Sequence, residues 1–380
     1  MRNLGKQLSI LQVCHDTKGP FINVCKQYVS AFDGNAVTTV FLKGCHDNDA
    51  SNLVGGHRVI FLAEDAKQSK NLLSGLKLNT LVRMYHLLKE SPYDIVITHR
   101  YKAMYIIGVL SFLFSIPKII SIAHEYNMFR RLSRRWFIHL LIGSRRSKFI
   151  LAGVSTAVTQ SMREQCPFLI KAAGLLTLYN TLDVDQAKSI MSKSDARRAL
   201  NLPEDRPVIG CIGRLVKKKN HALLVQAFEK LDLEKAMLIL IGGGPEEASL
   251  RDLVDQSKMT KSVLFVGSKN EAYRYVRAFD LFVLPSSKEE AFGIVLLESM
   301  MAKVPILSSN APGPKEVLGE AGDYFDCGNM EDLCEKMNLV LSRPVENIQR
   351  RVETSHLRLI SQFGFGEFRE NLLKAAGLET

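Results

Sequence analysis

The sequence predicts an α/β protein with two doubly wound domains, each a parallel sheet covered by helices on both faces. Short apolar runs alternate with helical stretches almost without interruption, as in sheets whose parallel strands are joined by crossover helices. The chain has 380 residues, more than one hydrophobic core usually serves. A polar segment with two prolines, residues 180–207, interrupts the alternation and is typical of a linker.

Strand-like runs lie on both sides of that segment. The first half has them at residues 8–14, 36–42, 58–63, 94–99, 118–124, 149–155 and 175–180. The second half has them at residues 207–213, 236–242, 262–267, 281–286, 305–309 and 323–326. We therefore expect an N-terminal domain (1–182), a linker (183–206), a C-terminal domain (207–345) and C-terminal helices (346–380) that can cross back to the first domain.

The composition describes a folded protein without a membrane span. Hydrophobic residues make up 46% and charged residues 23% of the chain, which excludes disordered and fibrous classes. The longest apolar stretch, residues 105–116, has about a dozen residues against the roughly 20 that a bilayer requires, and we expect a buried helix there. No export signal is expected at the N-terminus, and the seven cysteines lack a C-x-x-C pair, which favours a reducing, cytoplasmic location.

The positive charge is concentrated in the first half of the chain. The net charge is +11, and residues 1–180 contain 23 Lys and Arg against 10 Asp and Glu. Basic and apolar residues alternate most densely over residues 129–148. Such a stretch suits an anionic membrane surface, a polyanionic substrate or nucleic acid, but a solvated helix packed on the core would look the same.

Two cations follow the strand-like run 207–213. Arg214 and Lys219 lie in the turn before an amphipathic helical stretch. Together with backbone amides and the positive end of a helix, they can bind a diphosphate. A solvated basic turn is the alternative. After the next run, residues 242–244 are three glycines followed by Pro245, which either let the backbone approach a ligand or form an ordinary turn.

Two glutamates, Glu290 and Glu298, flank a segment in which we expect a helix to begin near Gly293 or Ile294. The amides around Phe292, Gly293 and Ile294 would then point toward an anion. The two carboxylates could bracket that ligand and accept hydrogen bonds from its hydroxyls, as a sugar and a ribose would require. Otherwise Glu290 is a capping acid and Glu298 an ordinary helix residue.

These motifs occur together and in order, and the chain resembles the retaining glycosyltransferases of family 4, which have the GT-B architecture of two facing Rossmann-like domains with a cleft between them. The resemblance rests on GRLVKKK (213–219), IGGGPE (241–246), EAFGIVLLE (290–298), NTLD (180–183) and AHEY (123–126). Each motif alone is weakly specific. Together they span most of the chain.

The resemblance implies a role for each matching residue. Gly213, Arg214, Lys219 and Gly243 would bind a UDP- or GDP-sugar donor, Arg214 and Lys219 through its diphosphate, with support from the amides of residues 292–294. Glu298 would bind the ribose and Glu290 the transferred sugar, which His124 would reach from the first domain; a structural histidine is the alternative for His124. The family often has a glycine pair after its first strand, where this chain has only Gly19, so the acceptor side is poorly matched.

The same residues indicate how transfer would proceed. Fixed cations and a helix end stabilise the charge that develops on a leaving diphosphate, so no metal and no cofactor is expected. Asp183 and Asp185 form a D-x-D pattern, but it lies in the predicted linker. The resemblance implies attack on the sugar face that the phosphate leaves, with that phosphate as the base. The basic first half favours a glycan or lipid-linked acceptor, such as a lipopolysaccharide core, and a peripheral position on the cytoplasmic membrane.

Two other functions fit parts of the sequence. A nucleotide-sugar 2-epimerase would use the same paired domains and the same nucleotide, but no separate acceptor. A nucleic-acid-binding protein would use the basic first half, and its affinity for any duplex would fall steeply with salt. We expect no nucleic-acid partner, because the motifs of the second half have no role in that function.

Overall fold

The chain divides into two compact units, which are described separately. The computed structural model describes residues 7–16, 21–44, 54–56, 58–62, 76–144, 146–167, 174–182, 184–231 and 235–378. The first unit comprises Met1–Asn180 with Gly366–Thr380, and the second comprises Thr181–Phe365.

A seven-stranded parallel sheet forms the centre of the first unit. Its strands are β1 (Ser9–Cys14), β2 (Ala36–Phe41), β3 (Arg58–Phe61), β4 (Ile95–His99), β5 (Lys118–Ala123), β6 (Lys148–Gly153) and β7 (Gly174–Thr177). The order across the sheet is β3-β2-β1-β4-β5-β6-β7. Strand β4 is buried along its whole length, as expected for a sheet covered on both faces. The order reverses between β1 and β4, the position where open α/β sheets bind ligands.

Helices cover this sheet. They are α1 (Phe21–Ala31), α2 (Leu76–Glu90), α3 (Arg100–Leu110), α4 (Leu132–Gly143) and α5 (Thr156–Gln165). The hydroxyl of Ser155 caps α5 by accepting a hydrogen bond from the amide of Val158. Gly108 lets α3 and α4 approach closely, because a Cβ there would lie 2.9 Å from the side chain of Leu141.

A six-stranded parallel sheet forms the centre of the second unit. Its strands are β8 (Val208–Ile212), β9 (Met237–Ile241), β10 (Val263–Gly267), β11 (Leu281–Leu284), β12 (Ile306–Ser309) and β13 (Asp323–Phe325). They are ordered β10-β9-β8-β11-β12-β13. The order reverses between β8 and β11, so the loops that follow these two strands flank the predicted ligand position.

The second unit is also covered by helices. They are α6 (Lys193–Ala199), α7 (His221–Glu229), α8 (Glu247–Gln256), α9 (Ile294–Ala302), α10 (Pro312–Leu318), α11 (Met330–Leu341) and α12 (Val345–Phe363). Short 3₁₀ helices lie at Val184–Ser189, Lys217–Lys219, Ala272–Ala278 and Gly319–Ala321. Side chains of α7, α8 and α11 pack with the strands into one apolar core, which includes Leu224, Leu250 and Met337.

The last helix, α13 (Phe365–Ala376), packs on the first unit although it follows the second in the chain. The rings of Tyr28 and Phe368 lie 4.9 Å apart, edge to face. The Nζ of Lys118 donates a hydrogen bond to the carbonyl of Ala376.

The predicted strands and their doubly wound arrangement are confirmed in both units. The segment expected as a linker, residues 183–206, differs: its described residues group with the second unit and contain α6. The side chain of Arg197 fixes them there, because it is buried, donates to the carbonyl of Ala278 at 3.0 Å and pairs with Asp280 at 2.7 Å. The apolar stretch 105–116 contributes the end of α3 and then leaves the helix. Among the described residues, no helix has the length and apolar character needed to cross a membrane.

Candidate functional site

The candidate residues of the second unit lie in loops that follow β8, β9 and β11, neighbours in the sheet. The loops after β8 and β9 pack backbone to backbone. A Cβ on Gly242 would lie 1.9 Å from the carbonyl oxygen of Gly213, and one on Gly244 would lie 2.2 Å from that of Leu215. The amide of Leu215 donates to the carbonyl of Gly243 at 3.0 Å. Glycine is therefore required at 242 and 244 by the neighbouring loop, whatever ligand this edge binds.

An ion pair joins the loop after β8 to the loop after β11. The Nζ of Lys219 lies 2.6 Å from Oε2 of Glu290, and the hydroxyl of Ser286 donates to the same oxygen at 2.9 Å. The amide of Ser287 also donates to the carbonyl of Lys218 at 2.8 Å. The two loops are thus held together by side chains and backbone.

Glu290 is buried but remains anionic. Its residue surface is 7% exposed. Burial alone would raise the pKa of its carboxyl, but the charges of Lys219 and Lys218 and the hydrogen bonds from Lys219 and Ser286 outweigh burial and lower it. A carboxylate held in one orientation by two donors can position a hydroxyl-bearing ligand through its remaining lone pairs.

Helix α9 begins where the sequence predicts. Gly293 caps it with φ of +86°, a conformation that favours glycine. The amides of Gly293 and Ile294 have no hydrogen-bond acceptor in the part of the chain that the structure describes. Phe292 is buried and its ring lies 5.7 Å from that of Phe363, edge to face. The loop is thereby anchored, and the first amides of the helix are available to an anion.

Glu298 lies in the second turn of α9 with an unusual carboxyl. The side chain is partly buried and makes no hydrogen bond or ion pair to any described residue. Burial raises its pKa to about 7, although the nearby charge of Lys219 lowers it in part. The carboxyl therefore keeps its proton to a higher pH than an ordinary glutamate, and in its protonated form it can donate as well as accept a hydrogen bond.

Arg214 lies one residue after Gly213 with its side chain exposed. Among the described residues, no hydrogen bond or salt bridge holds its guanidinium.

Opposite the loop after β11, a Cβ on Gly313 of α10 would lie 2.4 Å from the carbonyl oxygen of Glu290. The sequence analysis missed Gly313 and Ser286; the only signals were the glycine between two prolines and the serine at a strand end.

His124 lies in the first unit, directly after β5. Its Nε2 is 3.1 Å from Nδ1 of His99, the last residue of β4, and Nε2 of His99 is 3.0 Å from the amide nitrogen of Gln12. Burial, with the charge of Arg100, lowers the pKa of His124 to about 3. His99 was also missed; its signal was a histidine at the carboxyl end of a strand next to the one before His124.

Three other residues singled out in the sequence are not described, or are described only in part, by the structure. Gly19 and Asp183 lie outside the described residues, and the side chain of Asp185 is not described. Within the described ranges, no group of three His, Cys, Asp or Glu side chains could hold a metal ion.

The second unit contains a segment that matches a known protein family. Residues 192–355 match the model of the glycosyl transferases group 1 family. LpsD of Rhizobium meliloti, a lipopolysaccharide core biosynthesis glycosyltransferase, is 37% identical over 136 residues, which cover 35% of this chain and 39% of LpsD. LpsE of the same organism, with the same description, is 30% identical over 170 residues, or 44% of this chain and 48% of LpsE. The matched regions thus span less than half of these two relatives.

Solved structures match the whole chain in fold. HepE from Anabaena, in complex with UDP-glucose, has a TM-score of 0.79 at 16% identity and covers 98% of this chain and 100% of its own. WaaG, described as a glycosyltransferase involved in lipopolysaccharide biosynthesis, has a TM-score of 0.72 at 15% identity and covers 98% and 99%. At these identities the likeness establishes the fold, which is GT-B, with two Rossmann-like units.

Proposed function

We propose that the chain transfers a sugar from a nucleoside-diphosphate sugar to a glycan or glycolipid of the cell envelope, on the premise that residues 192–355 match the model of the glycosyl transferases group 1 family. The observation that carries the proposal is the cluster around the β8–β11 reversal. There, within one unit, an oriented carboxylate, an unpaired exposed arginine and the open end of a helix occur together.

The cluster supplies the contacts that a nucleoside-diphosphate sugar needs. The guanidinium of Arg214 and the amides of Gly293 and Ile294 bind the diphosphate, since these donors lack partners among the described residues. The carboxyl of Glu298 binds the ribose hydroxyls, and Glu290 orients the transferred sugar. The donor is a UDP- or GDP-sugar, and HepE, a neighbour in fold, was solved with UDP-glucose.

The environment of Glu290 supports a retaining reaction without an enzymic nucleophile. Lys219 and Ser286 both bind Oε2 and lower the pKa of the carboxyl, which makes it a weak nucleophile but a well-oriented acceptor. The leaving phosphate then takes the proton of the attacking hydroxyl. Arg214 and the end of α9 stabilise its negative charge. This arrangement needs no divalent ion.

The acceptor is proposed from the relatives. LpsD, LpsE and WaaG are described as acting in lipopolysaccharide core or lipopolysaccharide biosynthesis, and an acceptor of this kind is anionic and carried by lipid. We therefore place the chain in the cytoplasm, peripheral on the inner face of the cytoplasmic membrane.

A docking face formed by α4 and the two residues before it supports the membrane position. It consists of Arg130, Arg131, Leu132, Trp136 and Leu140. The last three are spaced by one helical turn and are 68%, 73% and 62% exposed, and both arginines are exposed. Large apolar side chains in water beside unpaired cations complement an anionic bilayer, whose interface takes up tryptophan and leucine.

The rest of the basic stretch holds α4 in place. Arg134 donates to the carbonyl of Met128 at 3.0 Å and stacks on the ring of Tyr101 at 4.2 Å. Arg135 donates to the carbonyl of Phe129, itself fully buried, at 2.9 Å. Mutating these two arginines would disturb the helix, so they are unsuitable probes of membrane binding.

A screen of nucleoside-diphosphate sugars tests the function. Binding is first found by thermal shift, where a donor at 100 times its Kd adds roughly 2.7 kcal/mol to the stability of the native state. Transfer is then measured on deacylated and intact lipopolysaccharide cores, with anomeric configuration read by NMR. Donor without acceptor is the control, because an epimerase would release a new sugar isomer. Failure to bind any nucleoside-diphosphate sugar would contradict the proposal.

A further inference from the structure

A chain of hydrogen bonds runs through the buried interior of the first unit to His124. Gln12 of β1 and His99 of β4 are 1% and 0% exposed. The Nε2 of Gln12 lies 3.0 Å from Nε2 of His99, and Nδ1 of His99 lies 3.1 Å from Nε2 of His124. Which nitrogen donates and which accepts in the hydrogen bond between the two imidazoles therefore depends on the orientation of the Gln12 amide.

The surroundings of Gln12 fix that direction. Its Nε2 also lies 3.3 Å from the carbonyl oxygen of Cys25, which can only accept, and its Oε1 accepts from the hydroxyl of Thr39 at 3.1 Å. The reversed amide would set its oxygen against the carbonyl of Cys25. The amide nitrogen therefore donates to Nε2 of His99, which must accept.

The orientation of the Gln12 amide then determines which nitrogen of each imidazole carries the proton. A neutral His99 that accepts at Nε2 carries its proton on Nδ1 and donates it to Nε2 of His124. A neutral His124 that accepts at Nε2 carries its own proton on Nδ1. This Nδ1 makes no hydrogen bond to any described residue.

Both rings are neutral at physiological pH. Burial, and then the charges of His124 and Arg100, lower the pKa of His99 well below its ordinary value, and burial with Arg100 lowers that of His124 to about 3. Aromatic edges enclose the pair: Tyr28 lies 4.6 Å from the ring of His99 and Phe21 lies 5.3 Å from that of His124.

We propose that Gln12 and His99 are positioning residues that hold His124 in its Nδ1–H tautomer, so that it offers a single N–H donor to a hydroxyl oxygen of a sugar substrate bound at the carboxyl ends of β4 and β5. The role of the tautomer rests on the proposed function; the tautomer itself does not. Without the chain, neutral His124 could present an acceptor at Nδ1, and its hydrogen bond with a sugar hydroxyl would run in the opposite direction.

Histidine-selective ¹⁵N NMR of the full chain tests the tautomer without any substrate. Two-bond ¹H–¹⁵N correlations distinguish a protonated from an unprotonated ring nitrogen, and His124→Asn assigns the signals of His124. We expect a proton on Nδ1 and none on Nε2 in both His99 and His124. An Nε2–H signal from wild-type His124 would overturn the proposal.

Gln12→Met tests whether the chain directs the tautomer. The variant keeps the side-chain length but removes the donor, so His124 should become a mixture of tautomers. Thr98→Val is the matched control, because Thr98 is also buried on β4 next to His99 but bonds Ser121 at 2.6 Å and not the chain. A His124 tautomer that is unchanged in Gln12→Met would overturn the directing role.

Two substitutions of His124 connect the tautomer to transfer. An Asn amide can donate near the position of Nδ1, and a Gln amide near that of Nε2. We expect His124→Asn to retain about five- to tenfold more kcat/KM than His124→Gln, the value of one hydrogen bond. The reverse order would overturn the donor role. A wild type that shows the Nδ1–H tautomer but transfers no sugar would contradict the proposed function and leave the tautomer control supported.

Discussion

Lys219 and Glu290 are 71 residues apart in the chain, and their side chains meet at 2.6 Å. The pair connects the loops after β8 and β11, the two strands between which the strand order of the second sheet reverses. Because both partners are largely enclosed, at 17% and 8% side-chain exposure, each charge depends on the other for its solvation. The pair therefore has a structural role in addition to the sugar contact proposed for Glu290.

Removing one partner should destabilise the second unit more than removing both. Lys219→Met leaves an unpaired buried carboxylate, and Glu290→Gln leaves an unpaired ammonium, each at a cost on the order of 3 kcal/mol. The double variant should lose less than the sum of the two. Native-state hydrogen exchange of the β8 and β11 amides measures this locally in the full chain.

Lys218→Met is the control for that cycle, since its side chain is exposed in the same 3₁₀ turn. It should change protection little. Strictly additive effects of Lys219→Met and Glu290→Gln would show that the two charges do not interact in solution.

The elevated pKa of Glu298 should make stability depend on pH. Between its ordinary value near 4.5 and about 7, the folded chain binds more protons at this group than the unfolded chain, so stability is lost as pH rises through this window. The full loss is on the order of 3 kcal/mol. Glu298→Gln removes it. The melting temperature of the variant relative to wild type should therefore increase from pH 5 to pH 8.

Glu289→Gln serves as the matched control, because Glu289 is an exposed glutamate in the neighbouring loop. Its melting temperature relative to wild type should stay level across the same pH range. A level profile for Glu298→Gln as well would show that Glu298 titrates normally.

The fold could be predicted from the sequence because the signals are local. Strands such as β4 and β11 are buried throughout, so they appear as continuous apolar runs between polar turns. The start of α9 was also predictable, since Gly293 marks it. The extent of the linker was not, because the anchor of Arg197 is Asp280, which lies 83 residues away.

The sequence predicted which residues form the candidate site, but not the contacts between them. Motif order indicated that Arg214, Lys219, Glu290 and Glu298 belong to one site. That Lys219 binds Glu290 directly, and that Glu298 has no partner in the described chain, depends on which loops the strand order brings together. The support of His124 by His99 and Gln12 connects β1, β4 and the residue after β5, and no spacing rule within one segment reports such a contact.

Arg214→Ala should weaken binding of the free nucleoside diphosphate. Its exposed guanidinium has no partner within the described residues, so the substitution removes a charge-assisted ligand contact without disturbing the fold. A loss of about 1.5–3 kcal/mol corresponds to a Kd that is roughly 10- to 100-fold higher in titration calorimetry. Lys235→Ala, an exposed cation at the opposite edge of the sheet before β9, should bind as wild type does. Equal affinity in both variants would remove Arg214 from the donor site.

Transfer should persist in excess EDTA. Arg214 and the first amides of α9 already provide positive charge for a leaving diphosphate, so chelation should change kcat/KM by less than about twofold. Loss of activity that Mg²⁺ or Mn²⁺ restores would contradict this, and Asp183→Asn and Asp185→Asn would then locate the metal ligands.

The docking face should bind anionic vesicles through both charge and apolar insertion. Replacing Arg130 and Arg131 by Ser removes about 1 kcal/mol per cation, which predicts roughly 30-fold weaker binding to phosphatidylglycerol vesicles at low salt. Replacing Trp136 and Leu140 by Ser should weaken binding by about tenfold or more at every salt concentration, since insertion of apolar area is not screened. Co-sedimentation with anionic and neutral vesicles measures both effects.

Leu357→Ser with Ile360→Ser provides the matched control, because these side chains on α12 are 58% and 52% exposed and lie in the other unit. If any exposed apolar pair sufficed, this variant would lose as much binding as the Trp136 and Leu140 variant. Specific docking instead predicts wild-type binding for the control and salt-sensitive binding only where Arg130 and Arg131 are present. If the wild-type chain does not bind anionic vesicles at low salt, α4 is a solvated helix and the membrane is excluded as the partner of this face.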